Sequence, residues 1–206
     1  MRIKEVKLFT YGELSDKAKE RARSWYRESS RDDSFWSECA IDDAKEQLKF
    51  LGFEVDEIYW SGFWSQGDGA CFTGTWRAKD VAKDKLHPMF LEDYLKELAE
   101  AHAELLAIAK EYPEAYASLT HHDRYCHENT IRFDCGDFER ERETEEGDIP
   151  VWDSTAEHNF EEAARDCMRW IYHRLEKEYD WQNADEQVAE NIIANEYEFT
   201  EEGEIA

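Results

Sequence analysis

The fold is decided at a glycine-rich stretch, residues 61–72, which reads SGFWSQGDGACF. Apolar residues recur at every second position on both sides of it, from Phe53 to Trp60 and, between threonines, from Cys71 to Arg77, as they do in β-strands. A glycine-rich turn between two such runs predicts an antiparallel β-hairpin. The alternation of the first run changes phase between Val55 and Ile58, which predicts either a bulge in that strand or a late strand start.

Three familiar loop motifs do not fit this stretch. A phosphate-binding loop needs a lysine after its glycines, but none lies between Lys49 and Lys79. A dinucleotide-binding fingerprint needs a third glycine at the position that Phe72 occupies. A nucleophile elbow needs the pattern GxSxG, and the spacing around Ser65 is one residue too long.

The stretch instead suits a turn that depends on glycine. Asp68 and Ser65 are suited to bond local backbone N–H groups, and Gly67 or Gly69 is suited to a positive φ. We therefore expect a turn that joins two aromatic strands.

Two aromatic side chains, Phe63 and Trp64, fall within the turn itself. Burial is harder in a loop than on a strand, so these rings are candidates for a contact surface. We take Phe63, Trp64 and Asp68 as candidate binding residues.

A second candidate site lies in residues 121–127, which read HHDRYCH. Such side chains bind zinc or iron, but the spacing matches no tetrahedral site, and adjacent histidines seldom face one ion. We expect a polar loop with no metal and no cofactor. A metal site is an alternative, with the candidate ligands His121, His122, His127 and Asp134. A further alternative is an enzyme with a small-molecule or nucleotide site beside Gly67-Asp68-Gly69, in which Cys71 is the nucleophile and His121 or His127 the base.

The charge of the chain excludes several partners. Its 206 residues include 50 acidic and 25 basic side chains, a formal net charge of −25. Such a charge repels nucleic acid and anionic membranes, so we expect neither as a direct partner. Residues 1–31 sum to +4 and residues 112–206 to −19, which makes the C-terminal half the anionic pole. A basic protein surface is the partner that this charge suits.

The cysteines and the hydropathy indicate a soluble protein of the cytoplasm. Five cysteines without a CxxC pair favour free thiols over a disulfide framework. The N-terminus lacks the apolar run of a signal peptide, and no apolar run reaches the roughly 20 residues of a membrane helix.

Residues 137–148, DFERERETEEGD, predict a solvated loop or a charged hairpin. Its glutamates are the candidate binding residues for a basic partner: Glu139, Glu141, Glu143, Glu145 and Glu146. The chain is expected to form one domain, residues 1–206, with an alternative boundary at 137–150 and a more acidic helical part at 151–206.

The remaining elements follow from periodicity and capping patterns. Helices are predicted at Ser15–Ser29 with Ser15 as cap, at Phe35–Leu51 with Ser34 as cap and Gly52 as stop, at Phe90–Glu111, at Ser154–Tyr179 with Ser154 and Glu157 in a capping box, and after Asn183, with Asn183 and Glu186 in a second capping box. Strands are predicted at Ile3–Phe9 and Asn129–Cys135, with a short edge strand or frayed tail at the C-terminus. The expected fold class is α+β, a small, mostly antiparallel sheet packed against five or six helices.

The segment from Tyr59 to Phe72, YWSGFWSQGDGACF, and the helix sequence YGELSDKAKERARSWYRE resemble small acidic proteins of tailed phages and prophages. Such proteins share Trp-Ser-Gln-Gly-Asp-Gly-Ala, a small residue and Phe, and the likeness covers about the first 80 residues. The resemblance implies an accessory role in a phage-infected bacterial cytoplasm and supplies no catalytic residues. Charge and resemblance together predict a non-enzymatic protein that inhibits a host nucleic-acid-handling or defence protein, as in anti-restriction or anti-CRISPR action by nucleic-acid mimicry. A virion or assembly component is the other alternative.

Overall fold

The chain has an α+β fold, as the sequence predicts. The structure is a computed structural model that describes residues 7–30, 34–82, 92–144 and 147–206, without the side chains of 92–97 and 144. The predicted strand residues 3–6 and helix residues 90–91 lie outside the described residues, as do Glu145 and Glu146. Two compact units are present: residues 39–176 form the larger, and residues 1–38 with 177–206 form the smaller. The segment 137–150 lies inside the larger unit.

The larger unit is built on a four-stranded antiparallel sheet with the strand order β2-β3-β4-β5. Its strands and the helix between them are β2 (Leu51–Ser61), β3 (Gly69–Val81), α3 (Glu92–Glu111), β4 (Tyr116–His121) and β5 (Ile131–Gly136). A separate two-stranded sheet consists of β6 (Glu139–Thr144) and β7 (Gly147–Trp152). Two further helices, α2 (Phe35–Phe50) and α4 (Ser154–Gln182), extend across the division between the units.

The predicted hairpin is confirmed, because β2 pairs with β3 in antiparallel register, with Ser61 opposite Gly69. The predicted bulge is confirmed as well, since the register shifts between Val55 and Glu57. A second shift follows Leu51, where Gly52 adopts a φ of +86°. The helix ends at Phe50 and Gly52 follows two residues later with a positive φ, so the predicted helix stop at Gly52 is confirmed. The same glycine also forms an irregularity at the start of the strand.

The core of the sheet is aromatic and centres on Phe160 of α4. This ring lies 4.6 Å from Trp76, 6.0 Å from Phe133 and 6.3 Å from Phe53, measured between ring centroids. Trp76 is fully buried and donates its indole N–H to the Leu51 carbonyl at 2.8 Å, so its polar atom is satisfied within the core. The alternation seen in β3 thus places one face of the strand against the helix.

The residue that caps α4 differs from the one that the sequence predicts. The sequence suggests Ser154 with Glu157, but the carboxylate of Asp153 accepts the backbone N–H groups of Thr155 at 3.0 Å and Ala156 at 3.2 Å. Asp153 therefore caps the helix, one residue earlier. A carboxylate there is favoured further by the positive end of the helix dipole.

The smaller unit contains α1 (Asp16–Ser29), α5 (Asp185–Ala194) and a two-stranded sheet of β1 (Phe9–Thr10) with β8 (Glu198–Phe199). The predicted Ser15 cap is confirmed, since its hydroxyl accepts the Ala18 N–H at 3.3 Å. The predicted Asn183 cap of α5 is wrong. The capping position is Ala184, and the Asn183 amide instead donates to the Tyr179 carbonyl.

The basic N-terminal segment and the acidic C-terminal segment belong to the same unit. Arg27 and Arg23 of α1 both pair with Asp185 at the start of α5. The contact to Arg27 holds the pKa of Asp185 below its usual value. Part of the positive charge of the N-terminal segment is therefore paired with negative charge from the C-terminal segment within the smaller unit.

Among the described helices, we find no stretch that is both long and apolar enough to cross a membrane.

Candidate functional site

The turn between β2 and β3 is held by Asp68. One oxygen of its carboxylate accepts the backbone N–H groups of Trp64 at 3.0 Å and Ser65 at 2.6 Å, and the Asp68 N–H donates to the Ser65 carbonyl at 3.1 Å. Gly67 adopts a φ of +92°, which glycine tolerates best. The predicted turn chemistry is confirmed for Asp68 and Gly67, and the Asp68 carboxylate is engaged in shaping the turn.

The histidine segment lies against this turn. A Cβ added to Gly69 would stand 2.5 Å from the Cβ of His127, and one added to Gly67 would stand 3.0 Å from the ring of Tyr125. The His121 ring stacks on Tyr59 of β2 at 4.7 Å. The two sequence motifs therefore form one packed region, which no spacing rule in the sequence indicated.

The chemistry of this region does not favour nucleophilic catalysis. Cys71 is fully buried, and burial raises the pKa of its thiol to about 11. A thiol with such a pKa is protonated at neutral pH and is a poor nucleophile. Its neighbour is the Thr130 hydroxyl at 3.7 Å, and His127 packs closely against Gly69, two residues before Cys71.

The candidate metal ligands serve other contacts. The His121 ring nitrogen bonds the Tyr125 carbonyl at 2.8 Å, and His127 accepts the Asn129 N–H at 3.2 Å. His122 and Asp134 are exposed. Within the described parts of the chain, no group of three His, Cys, Asp or Glu side chains is arranged to hold a metal ion.

The two aromatic rings of the turn differ in exposure. Phe63 is half-buried between Trp60, at 5.6 Å, and Tyr172 of α4, at 5.5 Å. Trp64 contacts Phe63 edge-on and is 77% exposed. Of the two rings predicted for a contact surface, Trp64 is the one presented to solvent.

The acidic segment forms the charged hairpin that was one of the two predicted alternatives. Alternate residues of a strand face the same side, so Glu139, Glu141 and Glu143 form one line along β6. We call these three residues the glutamate row. Their cross-strand partners are Trp152, Pro150 and Asp148. Each described side chain from 139 to 143 and from 147 to 150 is exposed, so both faces of this hairpin meet solvent.

Residues at the base of the hairpin hold it against the rest of the larger unit. Phe138 is fully buried and stacks against Trp76 at 6.4 Å. Asp153 accepts the Tyr112 hydroxyl at 2.9 Å and pairs with Arg140 of β6 at 3.3 Å, besides capping α4. Backbone hydrogen bonds from the helix lower the pKa of Asp153, and burial raises that of Tyr112 to about 12.

The contacts of Asp153 with Tyr112 and Arg140, which we call the anchor of the hairpin, were not predicted from the sequence. A signal for it existed, because Asp153 directly precedes the predicted helix and aspartate is a preferred cap. No local pattern indicated that Tyr112, which lies 41 positions earlier, would reach it.

The hairpin belongs to a unit with a large negative net charge. The larger unit contains 32 acidic and 15 basic residues, which leaves it at −17 of the total −25. This share matches its share of the residues, so the two units are about equally acidic per residue.

Comparison with curated proteins and with solved structures finds no match for this chain. A protein-family model does match, and it covers residues 36–185, well over half of the chain and all of the larger unit. The chain belongs to the family described as Domain of unknown function (DUF8835).

Proposed function

We propose that this protein is a non-enzymatic binding protein that docks onto a basic protein surface through the glutamate row of the β6–β7 hairpin. By the resemblance to phage accessory proteins, the partner is a host protein that handles nucleic acid or acts in defence. The docked hairpin occupies the surface that would otherwise bind a phosphate backbone, and so inhibits the partner.

One observation carries this proposal: a hairpin exposed on both faces with three regularly spaced carboxylates on one of them. Residues on one face of a strand lie about 6.7 Å apart, so the row presents negative charge at even intervals. Evenly spaced anions can mimic nucleic acid for a protein whose lysines and arginines contact successive phosphates. The net charge of the larger unit would steer such a partner toward the complex.

The decisive experiment is affinity purification from a bacterial host lysate with the full chain. The test variant replaces the glutamate row by glutamine, E139Q/E141Q/E143Q. A matched control, E190Q/E201Q/E202Q, removes the same charge from exposed residues of the smaller unit. We expect the wild type and the control to retain a common basic protein and the test variant to lose it.

Salt provides a second measurement on the same complex. Raising the ionic strength to 0.5 M shortens the Debye length to about 4 Å, so an interaction between exposed charges weakens strongly. Equal retention by all three proteins, or a complex that 0.5 M salt leaves intact, would overturn the proposal.

A further inference from the structure

The backbone of β6 has an edge that no other described strand covers. The hairpin is a two-stranded sheet, so each of its strands has one side without a β-ladder. An isolated two-stranded hairpin is marginally stable in water, and a third strand stabilises it. Strand edges of this kind are where extended segments of other proteins add by β-augmentation.

The position of Pro150 identifies which backbone groups face outward. Proline has no N–H and fits an antiparallel ladder where that group would point away from the neighbouring strand. Pro150 pairs with Glu141, so this pair is a non-hydrogen-bonded one. Hydrogen-bonded and non-hydrogen-bonded pairs alternate along the ladder. The backbone N–H and C=O groups of the glutamate row therefore point to the outer edge of β6, whereas those of Arg140 and Arg142 bond to β7.

The two edges of the hairpin are unequal. On β7 the outward position opposite Glu141 is Pro150, which offers no donor. On β6 the outward positions are three glutamates with complete backbone groups. An added strand therefore finds its full set of hydrogen-bond partners on β6 only.

We propose that the outer edge of β6 binds an extended segment of a basic partner as a third, hydrogen-bonded strand, with lysine or arginine at every second position. This inference rests on the proposed function and names the form in which the partner is recognised. Basic side chains on one face of the added strand lie beside the glutamate row. The intervening side chains lie on the face of Arg140 and Arg142, where a further positive charge is repelled.

The hairpin face that carries Arg140 and Arg142 indicates which residues of the added strand would lie between its basic positions. Arg140 pairs across the hairpin with Val151, and Arg142 with Ile149, which is 47% exposed. On the added strand, uncharged, β-branched side chains at the intervening positions would lie beside Arg140 and Arg142 without adding a like charge. The expected motif is thus an alternation of basic and uncharged β-forming residues.

The first test measures peptide binding to the full chain by fluorescence anisotropy. One probe is a labelled ten-residue peptide in which lysine and threonine alternate, and the second has the same composition with its five lysines contiguous. Cross-strand charge pairs favour the alternating peptide, and we expect it to bind about fivefold or more tightly. Equal affinities, or no binding of the alternating peptide, would overturn the inference.

The second test separates the strand edge from the charge with two variants of one residue. E141Q removes the charge and keeps the outward N–H, whereas E141P removes both. The proline fits the ladder as Pro150 does, and slow amide exchange at Arg140 and Arg142 would confirm that the hairpin persists. We expect E141P to bind the alternating peptide about tenfold more weakly than E141Q, and the Glu141 amide of the wild type to exchange more slowly once the peptide is bound.

The outcomes distinguish this inference from the proposed function. If E139Q/E141Q/E143Q loses the cellular partner while E141P and E141Q bind the peptide equally, the acidic docking surface stands and strand addition is wrong. If the triple variant keeps the cellular partner, the proposed function is wrong. If E141P then also binds the peptide as tightly as E141Q does, strand addition is wrong as well.

Discussion

The larger unit contains two hairpins that differ in almost every physical respect. The β2–β3 hairpin continues into a four-stranded sheet, packs its aromatic face on α4 and has residues 125–127 packed against Gly67 and Gly69 of its turn. The β6–β7 hairpin pairs with no other described strand and is exposed on both faces. The strands of the glycine-rich hairpin, which looks most like a catalytic loop in sequence, are packed into the core, whereas those of the charged hairpin are presented to solvent.

The largest effect should come from the core beneath the first hairpin. Replacing Trp76 by alanine removes a fully buried ring that contacts Phe160 and leaves the Leu51 carbonyl without its donor. We expect the free energy of unfolding to fall by about 3–5 kcal/mol, as measured by urea denaturation. The matched control is W64A, whose ring is 77% exposed, and its change should stay within about 0.5 kcal/mol. Comparable losses in the two variants would contradict the contrast between core and surface.

Replacing one glycine in each hairpin by alanine allows the cost in unfolding free energy to be compared between the two hairpins. Gly74 of β3 and Gly147 of β7 both have a positive φ, +148° and +118°. An alanine at Gly147 meets no atom within 4 Å, so only backbone strain of about 1–3 kcal/mol is expected. An alanine at Gly74 would place its Cβ 2.1 Å from the Glu54 carbonyl oxygen, which adds about 1–3 kcal/mol of steric strain. Equal losses of unfolding free energy for G74A and G147A would show that β2 and β3 do not approach so closely.

The anchor of the second hairpin gives a smaller, pH-dependent effect. D153A removes the α4 cap and the partners of Tyr112 and Arg140, so we expect the Tm at pH 7 to fall by about 4 °C. Hydrogen bonds from the helix N-terminus lower the pKa of Asp153 from 3.8, so its stabilisation is complete above that value. The difference in Tm between wild type and D153A should therefore narrow as the pH falls through 3.8 and below.

A control at the neighbouring residue tests the cap assignment. S154A removes the cap that the sequence suggested, but in the structure the helix N–H groups bond to Asp153. Its Tm should match that of the wild type. A fall in Tm as large as that of D153A would restore Ser154 as the cap.

The comparison also shows how far the sequence determines the structure. The β2–β3 hairpin, its bulge and the turn at Asp68 were predictable, because alternation, glycine and short polar side chains act over a few residues. The helix stop at Gly52 was predictable as well, because glycine readily takes the positive φ that ends a helix, whereas the strand irregularity at the same residue was not predicted.

The candidate site was less predictable, for a physical reason. The contact of His127 with Gly69 depends on the register of β4 with both β3 and β5, which is a long-range property of the sheet. The anchor between Tyr112 and Asp153 likewise joins residues that are distant in sequence. The exposure of the glutamate row was predictable, because charged side chains in alternation have no apolar face to bury.

The smallest effect on stability should come from the glutamate row itself. Glu143 lies directly opposite Asp148, and like charges at opposed positions destabilise a strand pair. E139Q/E141Q/E143Q should therefore unfold within about 0.5 kcal/mol of the wild type in urea, in the stabilising direction. A loss of more than about 1 kcal/mol would mean that the glutamates hold the hairpin together, and the loss of a partner by this variant would then reflect local unfolding. Unchanged stability with lost binding would assign the row to recognition, because the same side chains would then contribute to the complex and not to the fold.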